Sequence, residues 1–175
     1  VTEFFVNNPF MGKYYSYEDG LAFHSSIGVF TYVLGIFTPF YKALADKWGR
    51  KPLFVISTLG MAAGLLVIHL SSSYIMFLVG FAIISFFMGH DIQIIYILEE
   101  APNKHRAKIY SFLKSFGILG VILIPTLRDI LMGDDATKWR DIFLVPSLIG
   151  FVAMGLVLIF AKDTKVFINE RIDYL

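Results

Sequence analysis

The chain has 175 residues, 57% of them apolar and 17% charged, with a net charge of +1 and no cysteine. Soluble domains carry charge on about a quarter of their residues and the mean hydropathy here is +0.68, so a soluble globular domain is excluded. The lack of cysteine excludes disulfides and thiolate metal sites, and a near-neutral chain with no basic stripe among its aromatics excludes nucleic acid as a partner.

Residues 1–20 are too polar to cross a bilayer and are expected to form an external segment, with Tyr14, Tyr15 and Tyr17 near the interface. Five apolar stretches follow, roughly 21–41, 52–70, 74–98, 108–131 and 142–161, each close to the 20 or so residues that span the hydrocarbon. Short polar connections separate them, because backbone outside a helix must stay out of lipid. The expected fold class is an all-α membrane protein, with a five-span bundle over 21–161. Within the second stretch, Gly60-Met-Ala-Ala-Gly64 has the small-xxx-small spacing that lets helices approach closely. In the tail, 162–175, Ile168, Ile172 and Leu175 recur at helical spacing, which predicts an amphipathic helix on the inner leaflet.

The cations orient these spans. Ten of fifteen fall in 42–51, 99–108 and 162–175; four fall in the alternate segments, and Lys114 lies inside a stretch. Positive charge gathers on the cytoplasmic side, so the start of this chain is expected outside and its end in the cytoplasm. Five spans with an external start predict a six-helix bundle whose first helix is missing.

The densest charge is in Lys42-Ala-Leu-Ala-Asp46-Lys-Trp-Gly49-Arg50-Lys51-Pro52. Positive-inside bias explains the cations, but not the carboxylate or the glycine. Gly49 permits a tight turn and Pro52 suits the first turn of a helix. Asp46 is placed to serve as counter-charge to Arg50 or Arg106, a contact able to latch one conformation of a bundle.

Leu44-Ala-Asp46-Lys-Trp-Gly49-Arg50-Lys51 resembles the loop between the second and third helices of major facilitator superfamily transporters, with Lys42 where that family has Gly. Two spans later, Glu99-Glu-Ala-Pro102-Asn-Lys-His-Arg106 resembles the E-x-x-P-x-x-x-R element of its sugar and metabolite symporters, with Ala107 where many members have Gly. Trp139-Arg-Asp-Ile-Phe143 is similar to the family's entry into its sixth helix, whereas Asp163-Thr-Lys-Val-Phe167 keeps an acid but lacks the sugar porters' Pro. The resemblance covers 21–175 as helices two to six and implies a gate motif of Asp46, Gly49, Arg50, Lys51, Glu99 and Arg106. It also implies a second half of the same protein as partner, with substrate bound between the halves.

Ionisable groups at membrane depth are costly, which makes them functional candidates. His90, Asp91 and Gln93 in the third stretch and Lys114 in the fourth are such groups, expected along a substrate and proton pathway. Asp91 lies eight residues before Glu99, and Lys114 eight after Arg106, each about 12 Å inward along its helix. Two opposite charges at matched depth are expected to pair, although the long stem of Lys114 can also snorkel toward the cytoplasm. The resemblance puts Lys114 at a position that is a sugar-contacting Gln in sugar porters, so an anionic or polar solute is favoured. Drug antiporters of the superfamily carry an Arg in the fourth helix, and 74–98 contains none.

The expected function is a secondary transporter moving a small polar solute, a sugar or organic acid, with a proton. A drug or metabolite efflux antiporter is the alternative. No Walker loop or G-x-G-x-x-G is present, so no nucleotide cofactor is expected. An integral-membrane enzyme using His90 and Asp91 as acid and base lacks any supporting spacing, and a structural subunit would not need paired gate motifs. The protein is therefore expected not to be an enzyme.

Overall fold

The computed structural model describes residues 22, 25, 26, 28, 29, 33–88, 92–133, 136–164, 168 and 169. The expected external segment 1–20, residues 21, 23, 24, 27 and 30–32 of the first stretch, and Lys165, Arg171, Ile172 and Leu175 of the expected tail helix lie outside them, as do His90 and Asp91. Among the described residues all regular structure is helical, as a chain in lipid requires when its backbone must be satisfied internally.

A 3-10 turn, Leu34–Phe37, leads into α1, Thr38–Trp48, which has a proline in its first turn. Helix α2, Arg50–His69, starts one residue after α1 ends. The expected loop over 42–51 is thus helix on both sides of the single residue Gly49. Lys, Ala and Leu are good helix formers, and Gly49 alone breaks the run, at φ 102° and ψ 160°. That region is open to glycine and strained for any other residue.

Helix α3, Tyr74–Met88, and α4, Ile92–Glu100, occupy the third stretch. Helix α5, Arg106–Met132, has 27 residues, about 40 Å of rise and more than a bilayer core needs. A second 3-10 turn, Ala136–Arg140, leads to α6, Asp141–Phe160. Arg50–His69, Tyr74–Glu100 and Lys138–Phe160 are both long and apolar enough to cross a membrane.

Helix α2 packs along both α3 and α6. Small residues make this possible. A Cβ on Gly64 would stand 3.0 Å from the Gly80 carbonyl oxygen, and one on Gly80 2.9 Å from that of Gly64, so α2 and α3 cross backbone to backbone. Opposite α6, a Cβ on Gly150 would meet the Ala62 methyl at 2.8 Å, while buried Ser147 donates to the Ala62 carbonyl at 2.8 Å. The small-xxx-small run therefore serves two neighbours rather than one. Two apolar clusters flank the crossing: Tyr41, Ala45, Leu53 and Ile92 toward the Arg50 end, and Ile68, Tyr74 and Phe77 toward the His69 end. Outward faces remain oily, with Ile149, Val152 and Ile159 on α6 and Ile118, Ile122 and Ile130 on α5 all exposed. Such surfaces suit lipid rather than water.

Candidate functional site

The Arg50 end joins three chain segments far apart in sequence. Arg50 opens α2, with its side chain 11% exposed. One turn back on α1 is Asp46, and the Arg50 Nη1 donates to its Oδ1. On its other edge, Nε donates to Glu99 Oε1 at 2.9 Å, reaching the last turn of α4. Glu99 Oε2 in turn accepts from Thr164 Oγ1 at 2.6 Å, just beyond α6. A planar guanidinium presents donors on separate edges in a fixed fork, which lets Arg50 address Glu99 and Asp46 in different directions.

Neighbouring contacts reinforce this junction. Asp163 Oδ1 accepts from the Lys51 backbone N–H at 3.0 Å, supplying from a distant segment a cap for a helix start that Gly49 cannot cap itself. The Tyr96 hydroxyl donates to the Lys162 carbonyl at 2.6 Å and accepts from the Lys162 N–H at 3.3 Å. Beneath the charges, the Tyr41 hydroxyl donates to the Leu53 carbonyl at 3.2 Å and shares a 2.8 Å hydrogen bond with Ser57. Phe86 and Phe87 meet the Tyr41 ring edge-on. Tyr41 thus ties α1 to α2 through its hydroxyl and to α3 through its ring.

Of the expected gate residues, Asp46, Gly49, Arg50 and Glu99 come together, and Lys51 joins through its backbone. Arg106 does not. It opens α5, exposed, and makes no ion pair among the described residues, so the counter-charge of Asp46 is Arg50. Asp163 and Thr164 completed the junction without being singled out; the retained acid just past the last span was their one signal in the sequence.

Of the pathway residues, His90 and Asp91 lie outside the described residues. Gln93 lies in the first turn of α4, its amide nitrogen buried with no hydrogen-bond partner among the described residues, a costly state for a donor in an apolar surround. Lys114 is exposed on α5, and its ammonium stands 5.8 Å from the centre of the Tyr110 ring, one turn back toward the helix start. That is the snorkelling direction. An apolar cavity of about 220 Å³ opens beside it, between α4 and α5.

Helical among the described residues, with helix ends joined by one arginine and two carboxylates, the chain is of the integral membrane class. The family model of the Major Facilitator Superfamily matches residues 2–169, and the chain belongs to that superfamily. It is 29% identical over 153 residues to the MFS-type transporter YfiU of Bacillus subtilis, covering 85% of this chain and 29% of the relative. Over 152 residues it is 29% identical to the class H tetracycline resistance protein of Pasteurella multocida, covering 85% of this chain and 37% of that one. Against the probable plastidic glucose transporter 1 of Arabidopsis thaliana it is 32% identical over 116 residues, 65% of this chain and 22% of that one. The chain thus spans less than half the length of these relatives. No solved structure gives a significant match.

Proposed function

We propose that the chain is part of a secondary transporter that moves a small polar solute, a sugar or organic acid, together with a proton by alternating access. The observation that carries this reading is Arg50 held between Asp46 and Glu99, with Thr164 and Asp163 tying the same point to the segment after α6. A junction of that kind locks the ends of three helices in one arrangement, and a solute shifts the equilibrium only by binding the two arrangements unequally. The cation distribution supports a cytoplasmic position for this junction, where it would act as the gate. His90, Asp91, Gln93 and Lys114 supply the solute and proton pathway. The unpartnered Gln93 amide supports that role, since a polar solute would satisfy it.

Drug efflux is the second reading, favoured by relatives named for tetracycline and multidrug resistance. The full-length protein in proteoliposomes under an imposed proton gradient separates the two. Gradient-driven, saturable accumulation of a labelled hexose or organic acid is expected; transport of tetracycline alone would favour efflux, and no gradient-dependent movement of either would defeat both.

A further inference from the structure

The charges flanking α6 come as adjacent opposites, Arg140-Asp141 at its start and Lys162-Asp163 just beyond its end. A helix start favours anions and a helix end cations, so Asp141 and Lys162 suit α6 itself. Arg140 and Asp163 have the wrong sign for it. Their contacts lie on α2 instead. Asp163 Oδ1 accepts from the Lys51 N–H at 3.0 Å, at the start of α2. Arg140 Nε donates to the Ser71 carbonyl at 2.8 Å, two residues past the end of α2, and the Arg140 carbonyl lies 3.0 Å from His69 Nδ1 in the last turn. Each therefore brings the sign that α2 favours at the end it touches. The α2 sequence does not supply those charges. Its first turn holds Arg50, Lys51 and Pro52 with no acid, Gly49 has no side chain to cap it, and its last turn has no Lys or Arg.

We propose that α6 is a two-ended clamp for α2, with Arg140 and Asp163 supplying from outside α2 the cation and the anion that its own termini lack. Both helices have 20 residues. Contacts at Lys51–Asp163, Ala62–Gly150 and Ser71–Arg140 advance along α2 as they retreat along α6, so the two run antiparallel. At each face of the membrane one positive and one negative helix end stand side by side, and a dipeptide of both signs answers both. A slip of one residue would carry Asp163 about 1.5 Å from the Lys51 amide. The clamp thus fixes the register of α2 against α6, and with it the height at which Arg50 meets Glu99.

The test is thermal unfolding of the full-length protein in detergent, which needs no transport and so stands apart from the transport reading. Lys162→Asp with Asp163→Lys transposes the exit pair while keeping composition, net charge and the count of cytoplasmic cations. Lys162 meets Tyr96 through its backbone, so those bonds are kept. The melting temperature should fall by about 2–4 °C. Asp163→Asn, which retains an acceptor and loses the charge, should lower it less than Asp163→Ala does. In Asp163→Ala the Lys51 amide should exchange its hydrogen roughly fivefold faster, the equivalent of one net hydrogen bond. At the other end, Leu70 is 58% exposed, and Leu70→Lys would place a cation on α2 itself. That change should recover part of the loss caused by Arg140→Gln and none of that caused by Asp163→Ala. A transposed pair that melts at the unmodified temperature or above overturns the proposal, as does an Arg140→Gln loss untouched by Leu70→Lys. Should the transposed protein not fold, Asp163→Asn decides: full stability there would remove charge from the clamp and overturn it.

Discussion

The two ends of the helix bundle are fastened by different physics. At the Arg50 end the fastener is charge: one guanidinium between Asp46 and Glu99, with Thr164 on the far oxygen. At the His69 end it is a lattice of rings and backbone carbonyls. The Arg140 carbonyl can only accept, so His69 Nδ1 carries the proton and donates to it at 3.0 Å, with Asp141 3.7 Å away. Arg140 Nε donates to the Ser71 carbonyl at 2.8 Å, and its guanidinium lies 5.0 Å from the Trp139 ring centre. Trp139 in turn meets Phe77 and Phe143 edge-on. Breaking the first fastener removes a carboxylate from a buried guanidinium, whereas breaking the second gives up bonds to backbone carbonyls and ring contacts. The charged end is the one suited to switch, because its ion pairs are few and both are made by Arg50.

That contrast can be broken at several points. The largest effect belongs to Glu99→Ala, which leaves Arg50 short of a partner and Thr164 without its acceptor. With Asp46 still paired to Arg50, a loss of about 1.5–3 kcal/mol is expected for the buried charge-assisted hydrogen bond, read as thermal unfolding of the full-length protein in detergent. Next comes Gly80→Val, where the side chain would meet the Ile68 side chain at 2.7 Å and α2 backbone at 2.9 and 3.0 Å. Overpacking there should cost about 1–3 kcal/mol, and an unchanged melting temperature would mean that α2 and α3 do not cross at Gly64.

Arg140→Ala tests the other fastener. It removes the hydrogen bond to the Ser71 carbonyl and the cation–π contact with Trp139 and should cost about 1–2 kcal/mol; an effect larger than that of Glu99→Ala would erase the distinction between the two ends. The smallest effect on stability is expected for Asp46→Asn. The Asp46 side chain is 67% exposed, and such pairs are worth under about 1 kcal/mol. Its signature is kinetic instead: transport rate should change while apparent affinity stays near normal. Equal loss of affinity with an unchanged rate would remove Asp46 from the gate.

The sequence was most informative where the physics is local. Hydropathy placed the stretches 52–70 and 142–161 within two residues of α2 and α6, because twenty apolar residues in lipid have helix as their available form. Asp46 and Arg50 were legible as neighbours through their i, i+4 spacing, and Gly49 as a turn through its freedom at positive φ. Helix content over 42–48 was missed because charge was read as a sign of loop, although Lys, Ala and Leu favour helix. The choice of Arg50 over Arg106 for Asp46 was open in the sequence, where both cations sat in facing connections.

Contacts between distant segments were settled only by the packed bundle. Arg50 meets Glu99 across 49 positions, Thr164 meets Glu99 across 65, and Asp163 caps α2 across 112. Spacing carries no information at those separations; the register is set by how closely α2 approaches its neighbours, which Gly64, Gly80, Ala62 and Gly150 govern. Likewise the slot beside Lys114 exists because α5 stands away from α4, and the lean of Lys114 over Tyr110 follows from side chains tilting toward the helix start. Composition determined that this chain lives in a membrane as helices. Helix-to-helix distance, set by a handful of small residues, determined which of its charges meet.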